Sequence, residues 1–243
     1  MQPQLNPGVG QNYPTLEQFS ANVAAVLGKI EVIEQELYDR QTYPHAGLNQ
    51  FTFFSTPVGA GFSSESGNAG NTKTQADTNM TQNGQLPAPQ AFWIDNIACD
   101  FDPGSTVATV NDYTTLIPSI VAAAQAAASA VGITDKNAVL NSGWLQLFIG
   151  QKPYYQGAPL AYFPPRVQKR IDSSQCNGAV AANAMFTGVM YLDGGMRTLD
   201  PGLGLATGFN FGVTLNFPVL IPTVTNNGRL KVSLGGWLFR AAQ

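Results

Sequence analysis

From residue 208 to the C-terminus, apolar and polar positions alternate with a period of two. Phe209, Phe211, Val213, Leu215, Phe217, Val219 and Ile221 fall on odd positions, with Asn210, Gly212, Thr214 and Asn216 between them. A strand places alternate side chains on opposite faces, so this pattern predicts one buried and one wet face. Asn226-Asn227-Gly228 supplies residues that tolerate positive φ, and the alternation resumes with Leu230, Val232 and Leu234 against Arg229, Lys231 and Ser233. The two runs are read as one long antiparallel hairpin closing the chain. Gly235-Gly236 breaks the period before Trp237-Leu238-Phe239, which predicts a β-bulge or a close backbone approach.

The period changes near the N-terminus. Leu16, Phe19, Val23, Val26, Ile30, Ile33 and Leu37 alternate spacings of three and four, an a/d seam over three heptads. Thr15 and Gln18 make a capping box behind Pro14. A helix over 15–40 is therefore expected, with that seam buried either against the β domain or against other copies of the chain. Charged Glu17, Lys29, Glu31, Glu34, Glu36, Asp39 and Arg40 crowd into the same stretch, and Gly28 weakens it. Pro44 and Gly47 mark a linker before the strand that starts at Phe51. Residues 59–85 are a polar Gly/Ser/Asn/Thr loop, expected to be mobile or at a contact rather than part of a core.

Further strands are expected over 91–101, with a kink, over 142–149 and over 185–192, and a turn-rich connection over 193–204. Leu116 to Val131 is Ala-rich, with Pro118 suited to a first helical turn and Gly132 to a cap, so a helical insertion is expected over about 112–132. The resulting organisation is an arm and helix over 1–50 and a mainly β domain over 51–243.

Composition sharpens this picture. Only 11 % of residues are charged, against roughly 25 % in ordinary globular domains. A polar but weakly charged surface suits either a subunit whose faces meet copies of itself or an extracellular β protein with neutral loops. The net charge of −3 argues against a basic nucleic-acid groove. Cys99 and Cys176 are read as free buried thiols, because a β core of this size needs no bridge. MQPQLNPGVG has neither the basic nor the apolar region of a secretory leader, so none is expected, and Asn79-Met80-Thr81 is read as a chance glycosylation match.

Candidate chemistry is sparse. His45 is the only histidine and lies in the linker beside no acid or nucleophile motif. The cysteines lack zinc spacing, and GxSxG and Walker patterns are absent from the sequence. Asp95, Asp100, Asp102 and Asp112 form the one acidic group. Oxygen ligands at a turn suit Ca2+ near Asp100 and Asp102, and paired carboxylates suit a glycosidase, but these two flank an apolar Phe101 at a strand end, where a carboxylate caps a turn. Tyr154, Tyr155, Tyr162 and Phe163 make either a sugar-stacking platform or a subunit contact. No cofactor and no catalysis are expected.

Three features together resemble the jelly-roll coat proteins of tailless icosahedral bacteriophages. They are the helical N-terminal arm, the Leu86-Pro-Ala-Pro-Gln-Ala-Phe-Trp-Ile-Asp-Asn-Ile97 segment among long polar loops, and the closing Leu230-Lys-Val-Ser-Leu-Gly-Gly-Trp-Leu-Phe-Arg240 strand. The resemblance spans 51–240 and implies an eight-stranded jelly-roll β-sandwich without catalytic residues. Double jelly-roll coats have longer chains; about 160 residues remain here after the arm and the insertion, which suits a single jelly roll. The implied partners are copies of the chain, in trimeric or pentameric capsomers, with other virion proteins, and the implied location is the virion. The alternative is a trimeric carbohydrate-binding or adhesive module on an N-terminal coiled coil, at an extracellular surface.

Overall fold

In the computed structural model, residues 15–64, 70–102, 135–165, 167–175, 185–193, 196–223 and 227–242 are described. Thr15 begins helix α1 (Leu16–Leu27) through the expected capping box, its hydroxyl accepting from the Gln18 N–H while the Gln18 side chain accepts from the Thr15 N–H. The helix then stops. Gly28, at φ 79° and ψ −131°, takes a positive-φ conformation open mainly to glycine, and its N–H donates to the Ala24 carbonyl.

Strand β1 (Ile30–Tyr43) follows at once and pairs antiparallel along its whole length with the last strand, from Ile30↔Ala241 to Tyr43↔Gly228. The expected helix over 15–40 is thus corrected: Ile30, Ile33 and Leu37 lie on a strand. Their three-and-four spacing is coincidental, since β-branched residues beyond a glycine cap fit a pleated sheet at least as well as a helix. Gln50, the last residue of the expected arm, is the first residue of the next strand, Gln50–Phe53.

The remaining strands are β2 (Gln50–Phe53), β3 (Ala91–Asp102), β4 (Trp144–Ile149), β5 (Lys152–Pro159), β6 (Val167–Gln175), β7 (Met185–Asp193), β8 (Arg197–Leu205), β9 (Phe211–Asn216) and β10 (Gly228–Ala241). The chain is mainly β. One antiparallel sheet has the order β1-β10-β3-β8, the other β2-β9-β4-β5, and β6 pairs with β7 alone. The segment expected to be turn-rich over 193–204 contributes β8, an edge strand. A short helix over 135–142 precedes β4. The Ala-rich stretch over 112–132, the lead before Thr15, Asp112 and Cys176 lie outside the described residues.

Both four-stranded sheets close on one core. Phe92, Ile94, Phe101 and Val232 enter it from the first sheet, and Phe53, Leu147, Val213 and Leu215 from the second. Tyr43 stacks on Phe51 at 5.2 Å and meets Phe101 edge-on at 5.3 Å, bridging the two sheets. The two alternating C-terminal runs both bury their expected faces, but not as a hairpin. β9 pairs with β2 and β4, while β10 pairs with β1 and β3. Each apolar face satisfies the other across the core, so the connection after Phe217 arches between sheets. The alternation also ends at the strand: Phe209 and Val219 are exposed.

The glycine pair does mark a bulge. The register between β10 and β3 shifts at Gly235/Gly236, leaving Asp95 as the extra residue on β3. This switches the core-facing parity of β3 from Phe92 and Ile94 to Ile97, Cys99 and Phe101. A Cβ at Gly236 would run into the Trp93 carbonyl, so the close approach requires glycine. On the far side of the first sheet, α1 lays Phe19 and Val23 over Ala91, Trp93 and Phe239 in a second, smaller cluster.

Candidate functional site

β1 is an edge strand, and its free backbone groups need partners. They find them in the long connection between β2 and β3. The Tyr38 N–H donates to Asn79 Oδ1 (3.0 Å), and the Asn79 amide donates to the Glu36 carbonyl (2.6 Å). Thr78 Oγ1 donates to the Tyr38 carbonyl (3.0 Å), and the Arg40 N–H to the Asp77 carbonyl (2.8 Å). The polar loop expected over 59–85 to be mobile or at a contact is, where described, the cover of this edge, and it carries buried Met80.

Two buried carboxylates anchor the cover. Asp39 projects from the core-facing side of β1, with its side chain 0 % exposed. It meets Lys73 Nζ, 2 % exposed, at 2.5 Å from Oδ1. Its second oxygen, Oδ2, accepts the Phe54 N–H (2.7 Å) and, more weakly, Gln41 Nε2 (3.4 Å). Burial pushes the Asp39 carboxyl above its ordinary range, against the pull of the Lys73 ammonium. Phe54 has φ 66°, a left-handed conformation that costs a bulky residue energy and that aims its N–H at Oδ2. The Lys73 backbone is held by its N–H to the Ala60 carbonyl (3.2 Å) and by the Gly59 N–H to its own carbonyl (2.8 Å).

Asp77 is the second anchor. It accepts from Ser63 Oγ (2.8 Å), Ser64 N–H (2.8 Å), Ser64 Oγ (2.6 Å) and Thr74 N–H (3.0 Å). Burial alone would raise its pKa, but the donors of Ser64, Thr74 and Ser63 outweigh it and bring the value down to about 2. The folded value lies below the unfolded one, so this anchor contributes fully above the unfolded pKa. The contribution is lost as pH falls from about 4 towards about 2. Asp77→Asn is expected to remove about 1 kcal/mol at neutral pH, solvent screening discounting the full shift, and to flatten that acid limb, as read from denaturant melts across pH.

Beside this anchored loop lies an open groove of about 660 Å3, lined by Thr52, Ser55, Thr81, Gln82, Asn83 and Asn210 among others. No charged side chain is among the described residues lining it.

The residues singled out in sequence are scattered. The His45 ring reaches Thr223 Oγ1 at 3.4 Å, and its backbone N–H donates to Asn227 Oδ1, tying the β1–β2 and β9–β10 connections together. Asp95, at the bulge, accepts the Trp237 indole N–H (2.7 Å). Asp100 pairs with Lys136 (2.7 Å) and also accepts the Phe101 N–H, while Asp102 faces Arg229 (3.8 Å). Both carboxylates proposed for Ca2+ thus already face cations of the chain. Among the described residues no group of three or more His, Cys, Asp or Glu is placed to hold a metal ion. Cys99 is buried, and burial raises its thiol well above the ordinary range. The aromatic segment divides: Phe163 enters the core with Tyr155 against it, while Tyr162 is exposed, so the four rings share no platform.

The heptad positions separate in the same way. Phe19 and Val23 are buried, with Leu16 and Ile30 partly covered beside them; Val26 is 62 % exposed, Ile33 half-buried, and Leu37 sits in the main core.

Sequence reasoning missed Asp39, Lys73 and Asp77. The available signal was that Lys73 is the only base in the 59–85 stretch, with Asp77 four residues on. No family model, no curated protein and no solved structure matches the chain. Among the described residues no helix is long and apolar enough to cross a membrane.

Proposed function

We propose that the chain is a non-enzymatic structural subunit that self-assembles into a bacteriophage shell, built as a single jelly roll. The observation that carries this reading is the strand order. Leaving aside the β6–β7 pair, successive strands alternate between the sheets except at β4 and β5, giving β1-β10-β3-β8 against β2-β9-β4-β5. That order supports the jelly-roll reading, since two Greek keys wrapped into a double sheet would give it, an architecture used by viral coats.

Two features support assembly. Some of the sparse surface charges are paired within the chain, as in Lys231–Glu36 (2.8 Å) and Arg240–Glu31 (2.7 Å), which leaves less charge to repel a copy. Leu48, Val219 and Leu220 are exposed on the β1–β2 and β9–β10 connections, which His45 ties together, offering apolar contacts. Copies in trimeric or pentameric capsomers, other virion proteins, and a place in the virion follow from the same reading.

The test is sedimentation velocity with negative-stain imaging of the purified chain at rising concentration. Closed particles or discrete capsomers are expected. A monomer at every concentration, unchanged by the other proteins of the particle, would overturn the proposal. The neutral groove favours a second reading, a carbohydrate-binding module, to which a glycan array speaks. A coiled-coil stalk is no longer part of that reading, since α1 has 12 residues and folds onto its own sheet.

A further inference from the structure

We propose that Lys73 and Asp39 are the two ends of an intramolecular amide cross-link, formed without a cofactor, that fastens the β2–β3 connection to β1. The two side chains are buried, and Lys73 Nζ lies 2.5 Å from Asp39 Oδ1. Both ends are fixed: Asp39 by the sheet, and Lys73 by its two backbone bonds to Gly59 and Ala60. Two reactants held in this way are effectively at very high local concentration, on the order of 10⁵ M or more where the orientation is productive.

The oxygens of Asp39 are already differentiated. Oδ1 faces the amine, and Oδ2 receives the Phe54 N–H at 2.7 Å. Among the described residues Phe54 is the only non-glycine residue with positive φ. That costly conformation puts a backbone donor where negative charge would gather during attack on the carboxyl carbon.

The step balances within the pair. The ammonium passes one proton to Oδ1, giving a neutral amine and a neutral acid. Burial favours this state, since it destabilises the charged carboxylate. The Nζ lone pair adds to Cγ, and the electron pair of the C=O bond moves onto Oδ2, where the Phe54 N–H receives it. A second proton passes from nitrogen to Oδ1. The carbonyl reforms at Oδ2, the Cγ–Oδ1 bond breaks, and Oδ1 leaves as water. Nothing is oxidised or reduced. The product replaces two buried charges, costly to desolvate, with one neutral amide. It also closes a loop between residues 39 and 73, restricting the unfolded chain and keeping the cover on the β1 edge. The inference does not rest on the shell reading, because it concerns atoms within one chain.

The intact mass of the purified full chain, measured under denaturing conditions after prolonged incubation at neutral pH, decides it. The expected mass is that of the sequence less one water. A protease digest should yield a branched peptide joining the Asp39 and Lys73 segments, with no tryptic cleavage after Lys73. Lys73→Met and Asp39→Ala should each restore the full mass. The native chain is sufficient by itself, so a variant that fails to fold leaves the test intact. A native chain of full mass giving only linear peptides overturns the proposal. So does a water deficit that persists in Lys73→Met, as a succinimide at Asp193-Gly194 would produce.

Discussion

Truncating Phe217 to alanine is expected to destabilise the chain by about 3–5 kcal/mol, through lost transfer energy and an unfilled cavity. The ring is buried just past the end of β9, edge-on to Tyr43 at 6.0 Å and to Phe51 at 5.9 Å. Gly143 and Leu160 close the space on its other side, and a Cβ on Gly143 would come within 2.7 Å of the ring. With β strands on both sides of the site, collapse onto the cavity is limited. The neighbouring Asn216 side chain points to the opposite face of β9, where its amide reaches Thr214 Oγ1 at 3.5 Å. Asn216→Ser is expected to change stability by no more than about 0.5 kcal/mol. Denaturant melts of the two variants measure the contrast, and equal losses would show that the alternation along 211–217 is not the burial pattern. Under the proposed shell reading Asn216→Ser has a second readout. If that face meets a copy, the critical concentration for assembly rises while the melt of the single chain stays put.

The elements that were legible in the sequence are those fixed by neighbours along the chain. Alternation at Phe211–Phe217 and Leu230–Leu234, the capping box at Thr15 and the interruption at Gly235-Gly236 are all local, and each has its expected local consequence. What alternation does not encode is the partner. β9 and β10 look like a hairpin because both bury one face, yet the same pattern serves two strands facing each other from opposite sheets. The helix over 15–40 failed for a related reason. Ile30, Ile33 and Leu37 satisfy a helical spacing, but only the first half of β1 is free of the core; further on, Leu37, Asp39 and Tyr43 face inward with period two. The stop signal was present, in Gly28 followed by Lys29 after the last helical leucine. The buried Asp39–Lys73 pair was invisible because its members stand 34 residues apart in a stretch whose composition suggests a solvated loop. Burial of such a pair depends on the surrounding backbone geometry, Phe54 included, and composition carries none of that.

The helix offers the sharpest discrimination between a seam that joins copies and a face that covers its own sheet. Phe19→Ala is expected to cost about 3 kcal/mol, the low end of the range for a buried phenylalanine, because its cluster is small and lies on the outer side of the first sheet. Its ring sits 5.3 Å from Trp93 and 5.4 Å edge-on from Phe239, so the tryptophan emission should shift towards that of a hydrated indole as α1 loosens. Val26 occupies the same heptad seam in sequence but is exposed, so Val26→Asp is expected to leave the melt of the single chain within about 0.5 kcal/mol. Both effects should be independent of protein concentration, as contacts inside one chain are. A self-associating seam demands the reverse: Val26→Asp would place a charge in an interface and abolish association, and Phe19→Ala would act only where copies meet. Melts of both variants over a wide concentration range, read with Trp fluorescence, separate the two arrangements. A concentration-dependent loss in Val26→Asp would return the exposed face of α1 to the list of contacts between copies.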